Sequence, residues 1–257
     1  MKKQILAGTV CVLVLTVVSA AADSSSIPSV PEKGHELEMP SFDVGAFYRS
    51  MKVERGLVEN KESIFGYELE IEWYHILGGL ESCYDLTNIN RRRGRYNEIE
   101  SFLGLCLPWG DFSSKVAYAY RACGGDEPDT QLVELEFEYE TSVVTPFFEG
   151  ECDTHDVAGA LYGCFGVKRD WKIADCLLVT PYLGIGAGNA KRNRADFDTD
   201  RTTFREMCAG VEFEIELAPH LKLVPGVELY DQFTSNARHT YHKGFAAVGS
   251  CCLSLSF

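Results

Sequence analysis

The stretch LVELEFEYE, residues 132–140, places Glu134, Glu136, Glu138 and Glu140 in alternation with Val133, Leu135, Phe137 and Tyr139. A period of two belongs to a β-strand, whose successive side chains point to opposite faces, so this segment has one acidic face and one apolar face. In a soluble sandwich the acids would meet bulk water and the apolar face a protein core. In a transmembrane barrel the polarity inverts: apolar side chains meet lipid, and the acids enclose the interior.

Segment length separates the two. Working outward from 132–140, twelve strand-like segments follow one another: 42–54, 62–74, 79–88, 96–107, 111–123, 131–141, 143–153, 157–169, 177–189, 203–217, 220–232 and 244–257. Many run well beyond the roughly five or six residues usual in sandwiches and reach the length a tilted strand needs to cross a bilayer. The connections alternate in character, apart from the modest DTHD. HILGG, PWGD, TSV, DWKIADC and APH are tight, whereas GLVENKE, NINRRRGR, GGDEPDTQ, NAKRNRADFDTD and TSNARHTYHK are longer or more polar. Short turns at one end and long loops at the other are the pattern of an up-and-down outer-membrane barrel with an even strand number. The expected fold is therefore all-β, an antiparallel transmembrane barrel over residues 42–257 with twelve strands, ten being the alternative count.

Three further features agree with that topology. Trp73, Trp109 and Trp171 all fall at the tight-turn, periplasmic rim, where an indole suits a membrane–water interface. The last segment, FAAVGSCCLSLSF, alternates to its end at Phe257, in the manner of a terminal assembly signal for the barrel-assembly machinery. At the other end, Lys2 and Lys3, an apolar run from Ile5 to Val18 and small residues around Ala22 read as an export signal over residues 1–22, cleaved near Ala22. Residues 23–41 are polar and proline-containing and read as an extended or disordered lead-in.

The acids set the expected chemistry. Without the first 22 residues, 22 basic stand against 38 acidic residues, a net charge near −16, which argues against nucleic acid as a partner. By parity the inward set is Glu68, Glu70, Glu72, Glu81, Asp85, Glu98, Glu100, Glu134, Glu136, Glu138, Glu140, Glu149, Glu151, Asp153, Glu212, Glu214, Glu216 and Glu228. The inward cations are few: Lys115, Arg121, Lys168 and Lys222, with Arg49 or Arg55 as further candidates. One register of the hairpin ETSVVTP sets Glu134 opposite Glu151 and Glu136 opposite Glu149. Carboxylates about 7 Å apart on one strand face repel by about 0.6 kcal/mol in water and about 2.4 kcal/mol at an effective dielectric of 20. Such an interior must be wet, hold cations or keep many acids protonated. A wet, cation-attracting lumen is the simplest of these.

Other chemistries find little support. Nine cysteines remain after residue 22, without a CxxC pair or a spacing pattern, and read as small apolar strand residues rather than a disulfide framework. There is no Ca²⁺-loop sequence, and no cofactor or metal site is assigned; facing glutamates that share a divalent ion weigh less than a solvated wall. His35, His75, His155, His220, His239 and His242 fall in the lead-in, turns or loops, none mid-strand beside a serine on the same face, so no enzyme is expected. The loop arginines Arg91, Arg92, Arg93 and Arg95, and Lys191, Arg192, Arg194 and Arg201, could fork onto phosphates of lipopolysaccharide, against the plainer reading of solvated loops.

From Phe42 to Phe257 the layout resembles the Gram-negative porin families that include the TorF-type proteins. Their first strand carries a Ser-x-aromatic-Val-x-Arg-Gly run; SMKVERG matches at Ser50, Val53, Arg55 and Gly56, with Lys52 in the aromatic position. YDLTN followed by GRYNEIE is similar to their third and fourth strands. The resemblance implies a twelve-strand barrel and passive transport, and no catalytic residues. The expected function is an outer-membrane passive diffusion channel with an acidic, cation-favouring lumen for small polar or cationic solutes. The alternative is a closed-lumen barrel with a surface-binding or envelope-structural role, and a soluble secreted domain ranks third.

Overall fold

The computed structural model describes residues 39–55, 57–60, 62–86, 96–124, 128–233 and 245–257. The signal segment 1–22, the lead-in as far as residue 38, Gly56 and the arginines of 91–95 lie outside the described residues, as do His35, His239 and His242.

The strands of the wall are β1 (Ser41–Arg49), β4 (Ile64–Trp73), β5 (Ile76–Asp85), β6 (Tyr96–Trp109), β7 (Phe112–Cys123), β8 (Thr130–Tyr139), β9 (Thr145–Asp153), β10 (Leu161–Lys168), β11 (Trp171–Ala174), β12 (Leu177–Gly188), β13 (Thr203–Ala218), β14 (Leu221–Gln232) and β15 (Phe245–Ser256). The strands pair antiparallel in sequence, and β1 pairs with β15 and β10 with β12, which closes the sheet on itself; the short β11 pairs only with β12. β10 and β11 both pair with β12 in one continuous register, Lys168 opposite Tyr182 and Trp171 opposite Val179. They are one wall strand interrupted at residues 169–170, so the barrel has twelve strands. The turns at Tyr74–His75, Gly110–Asp111, Asp175–Cys176 and Pro219–His220 are tight, and Gly110 supplies a left-handed φ of 66° that a glycine adopts without strain. All of them lie at one end; the long connections lie at the other.

Polarity is inside out. Leu103, Tyr118, Phe165, Phe204 and Phe245 are more than 45% exposed on the outer face. Their alternate neighbours face inward, and Phe213 is exposed where a soluble core would bury it. Buried apolar residues such as Phe47, Ile64 and Cys83 pack together on the inner wall. No helix among the described residues is long and apolar enough to cross a membrane, so crossing falls to the strands.

Two connections at the long-loop end depart from the sequence reading. The first strand, expected to run to residue 54, ends at Arg49. Ser50 donates its N–H to Gly249 O at 2.8 Å, and its Oγ accepts from Gly249 N at 2.9 Å, which caps the wall pairing. Lys52–Glu54 and Leu57–Asn60 then form a separate hairpin, β2 and β3, with no ladder to the wall. The connection NAKRNRADFDTD, read as a solvated loop, contains helix α1 (Ala190–Phe197). Asn189 caps it, accepting from Arg192 N at 2.9 Å, the segment contains no β-branched residue, and Asp198 ends it in the left-handed region. The expected connection DWKIADC is shorter than its seven residues, because β11 takes the first part of it and puts Trp171 on a strand rather than in a turn.

Candidate functional site: the acidic interior and its hairpin

The register of β8 on β9 sets Glu134 opposite Glu151 and Glu136 opposite Glu149. Across the wall, Glu68 faces Glu81, and Glu81 in turn faces Glu100. These side chains share one cavity of about 500 Å³, whose charged lining is Asp43, Glu68, Glu70, Glu81, Glu100, Glu134, Glu136, Glu149, Glu151 and a single cation, Lys115. Among the described residues, nine carboxylates against one ammonium give this space a negative field. Closeness here follows from sheet geometry: facing side chains on a pleated pair lie about 5 Å apart.

The remaining sequence-assigned acids divide. Glu138 binds Lys168 at 2.7 Å and Glu214 binds Lys222 at 2.9 Å, and Lys115 holds Glu136 at 3.2 Å. Glu212 and Glu228 line a second cavity of about 300 Å³ together with Arg49, Met51 and Val53. Glu72 and Glu216 line neither cavity, and Glu140 lies past the end of β8, its N–H bonded to Asp111 O in the tight-turn region. Glu98 is turned to the hairpin. The four cations assigned inward, Lys115, Arg121, Lys168 and Lys222, all sit on wall carboxylates.

The hairpin β2–β3 lies inside the barrel, as its partners show. Lys52 Nζ is 2.8 Å from Glu98 on β6, 2.9 Å from Glu59 and 3.1 Å from Glu54. Arg55 reaches Glu151 on β9 at 3.0 Å. Arg121 on β7 bonds Glu54 of the hairpin and, at 2.7 Å, Glu100 of β6. Burial alone would lower the Lys52 pKa, but Glu54, Glu59 and Glu98 outweigh it and hold the ammonium well above its ordinary value. Burial would likewise raise Glu54; Arg55, Arg121 and Lys52 instead hold it well below the usual carboxylate range. Glu59 goes the other way: burial and the neighbouring Glu54 push it up to about 7. Glu54, Glu59 and Glu98 bring their oxygens together in a way that could hold a metal ion, but Lys52 Nζ is within about 3 Å of each and already serves as the cation.

Above the hairpin, Leu57 packs on Phe197 of α1. Arg205 is fully buried and stacks on Phe197, its guanidinium carbon 4.4 Å from the ring centroid, with Nη1 2.6 Å from Asp196. Arg205 occupies a β-bulge: Gly186 pairs with Glu206 and Ala187 with Phe204, leaving Arg205 unpaired and both Arg205 and Glu206 buried. Arg192, assigned to a solvated loop, is buried beside Asp153 and Asp196. Arg194 is exposed and pairs with Asp200, and Lys191 donates to Ala158 O at 2.9 Å.

Sequence reading missed Lys52, Asp43, Glu54, Glu59 and Glu206 as interior groups. Glu206 shares the parity of Glu212 and was within reach of the same argument. Lys52 was not, because its segment reads as a continuation of the first strand. Trp73, Trp109 and Trp171 are exposed at the tight-turn end, and Phe257 exchanges backbone hydrogen bonds with Phe42 at 2.9 and 3.2 Å.

No protein-family model and no curated protein matches the sequence. Among solved structures the chain is similar to the KdgM porin in complex with disordered oligogalacturonate, with a TM-score of 0.52 at 8% identity over 84% of this chain and 99% of that one. A second structure of the KdgM porin gives 0.52 at 9% identity, with the same coverage. At such identity the likeness is one of fold alone, a closed up-and-down transmembrane barrel of twelve strands.

Proposed function

We propose that the protein is an outer-membrane passive diffusion channel that favours cations, with an acidic lumen for small polar or cationic solutes. One observation carries this reading: nine carboxylates and one ammonium line the main cavity. Such a wall enriches cations and excludes anions by its field, and a low-dielectric barrel around it focuses that field. The groups already seated on the wall carboxylates are ammonium and guanidinium ions of the chain itself, Lys52, Lys115, Arg55 and Arg121. The KdgM porin was solved with oligogalacturonate. An acidic oligosaccharide would meet repulsion along this interior, so the solute class proposed here is of opposite charge.

The tight turns with Trp73, Trp109 and Trp171 would then face the periplasm and anchor that rim, and the long loops would face outward. Residues 1–22 would be the export signal, removed near Ala22, with residues 23–41 as lead-in. Phe257 would be read by the barrel-assembly machinery. The exposed loop cations Lys191, Arg194, which pairs with Asp200, and Arg201 would be the described groups to meet lipopolysaccharide. The TorF-type resemblance belongs to this reading also, although its Ser50–Arg55 run forms the wall cap and inward hairpin rather than a strand of the wall.

The test is a reversal potential in a salt gradient across a planar bilayer. Wild type should select cations, and neutralising Glu134, Glu136, Glu149 and Glu151 together to Gln should move the reversal potential toward zero. Anion selectivity in wild type, or no change in the variant, would reject the acidic-lumen reading. The inward hairpin and α1 favour a second reading, a closed-lumen barrel with a binding or structural role; absence of conductance would support it.

A further inference from the structure

Four observations set the hairpin apart from the wall. It is a two-stranded sheet of its own, joined to the barrel by side chains and not by a backbone ladder. An isolated two-stranded hairpin is marginal in water, so its position depends on those side chains. Nearly all of them are charged: Lys52 on Glu98, Arg55 on Glu151, and Glu54 on Arg121. Among the described buried residues its apolar tie is Leu57 on Phe197, and Phe197 belongs to another loop segment rather than to the wall. Open space lies against it, since Met51 and Val53 line one cavity and Glu151, the partner of Arg55, lines the other.

We propose that the β2–β3 hairpin is a displaceable gate: an autoinhibitory contact in which Lys52 and Arg55 serve as tethered counter-ions on Glu98 and Glu151, and whose release opens the acidic interior. The proposal rests on the reading of that interior as a cation path. Electrostatics make both positions accessible. In the docked state each hairpin cation is desolvated and recovers the loss only through good geometry with its carboxylates, a near balance for buried pairs. In the released state the same cations return to water and the wall carboxylates become available to passing ions. A contact carried by ion pairs is weakened by salt more than a packed plug would be, though less than exposed pairs would be.

The experiment compares single-channel conductance of three folded proteins in planar bilayers: wild type, the double variant Lys52→Gln with Arg55→Gln, and a variant whose residues 51–61 are replaced by a short Gly-Ser linker. Both altered proteins should conduct at least twofold more than wild type. Conductance divided by bulk conductivity should fall with rising salt in the linker variant, as screening removes the cation enrichment of its acidic wall, and should fall less steeply in wild type, where salt also releases the hairpin. The linker variant guards against misfolding of the double variant, because it removes the hairpin without leaving charges unpaired on it. Unchanged conductance on replacing the hairpin overturns the gate, even if wild type selects cations. Conversely, raised conductance with no cation selectivity sustains the gate and rejects the acidic-path reading on which the solute class depends.

Discussion

Arg205 shows how much one side chain can hold in place inside this barrel. It has no solvent exposure, lies on the Phe197 ring and reaches Asp196 at 2.6 Å, with Glu206 beside it at 3.9 Å. Removing the cation leaves Asp196 and Glu206 without it in a buried site, a loss that typically costs about 3–5 kcal/mol. Arg205→Met should therefore lower the unfolding free energy, read from urea titration of the folded barrel, by an amount in that range. Arg205→Lys should recover part of it, since an ammonium keeps the charge and forfeits the ring stacking. At this scale the sequence is legible wherever parity holds. Glu134 and Glu151, and Glu136 and Glu149, face each other as alternation and a tight hairpin require. It fails where parity breaks. Arg205 is the extra residue of a bulge, and nothing in TFREMC marks which residue the ladder will skip.

The hairpin carries the same lesson at the level of an element. MKVE alternates well enough to extend the first strand to residue 54 and GLVENKE reads as a loop, yet Lys52–Glu54 and Leu57–Asn60 pair with each other inside the lumen. What redirects them is long-range: Glu98, Glu151 and Arg121 come from β6, β9 and β7, far away in sequence, and only the closed wall brings them to Lys52, Arg55 and Glu54. α1 was hidden for a similar reason, being a short polar helix that packs its buried Arg192 and Phe197 inward. The hairpin's titration follows from its crowding. Glu59, about a third of its side chain still exposed, has its pKa raised to about 7 by partial desolvation on docking and by Glu54 of the same hairpin, and only the first is lost on release. A carboxylate whose pKa is higher docked than free binds an extra proton on docking between those values. The docked state is penalised above about pH 7 and gains as pH falls toward the ordinary carboxylate value. The hairpin should therefore dock more tightly at pH 5.5 than at pH 8. Protease cleavage between residues 52 and 60 should be slower at the lower pH, and Glu59→Gln should make pH 8 behave like pH 5.5. Faster cleavage in acid would contradict the sign.

For the whole molecule, the deciding property is the inversion of polarity, and it can be measured as a difference between two faces of one wall. Leu103 sits near the middle of β6, 65% exposed on the outer face, while Glu134 lines the cavity on the inner face. In a bilayer the first position lies against hydrocarbon close to the midplane, where a lipid-facing arginine costs about 2–4 kcal/mol, falling toward zero at the interfaces. The second lies in a hydrated, acidic space where loss of one charge relieves repulsion from Glu151. Leu103→Arg should accordingly lose about 2–4 kcal/mol of folding free energy in phospholipid vesicles, whereas Glu134→Gln should stay within about 1 kcal/mol of wild type or gain slightly. The same Leu103→Arg at the surface of a soluble protein would be nearly neutral, because an exposed leucine there already meets water. Urea titration of both variants in vesicles separates the cases. A penalty at Leu103 with none at Glu134 requires lipid outside and water inside, which is the arrangement that the alternation in LVELEFEYE calls for once the wall has closed between β1 and β15.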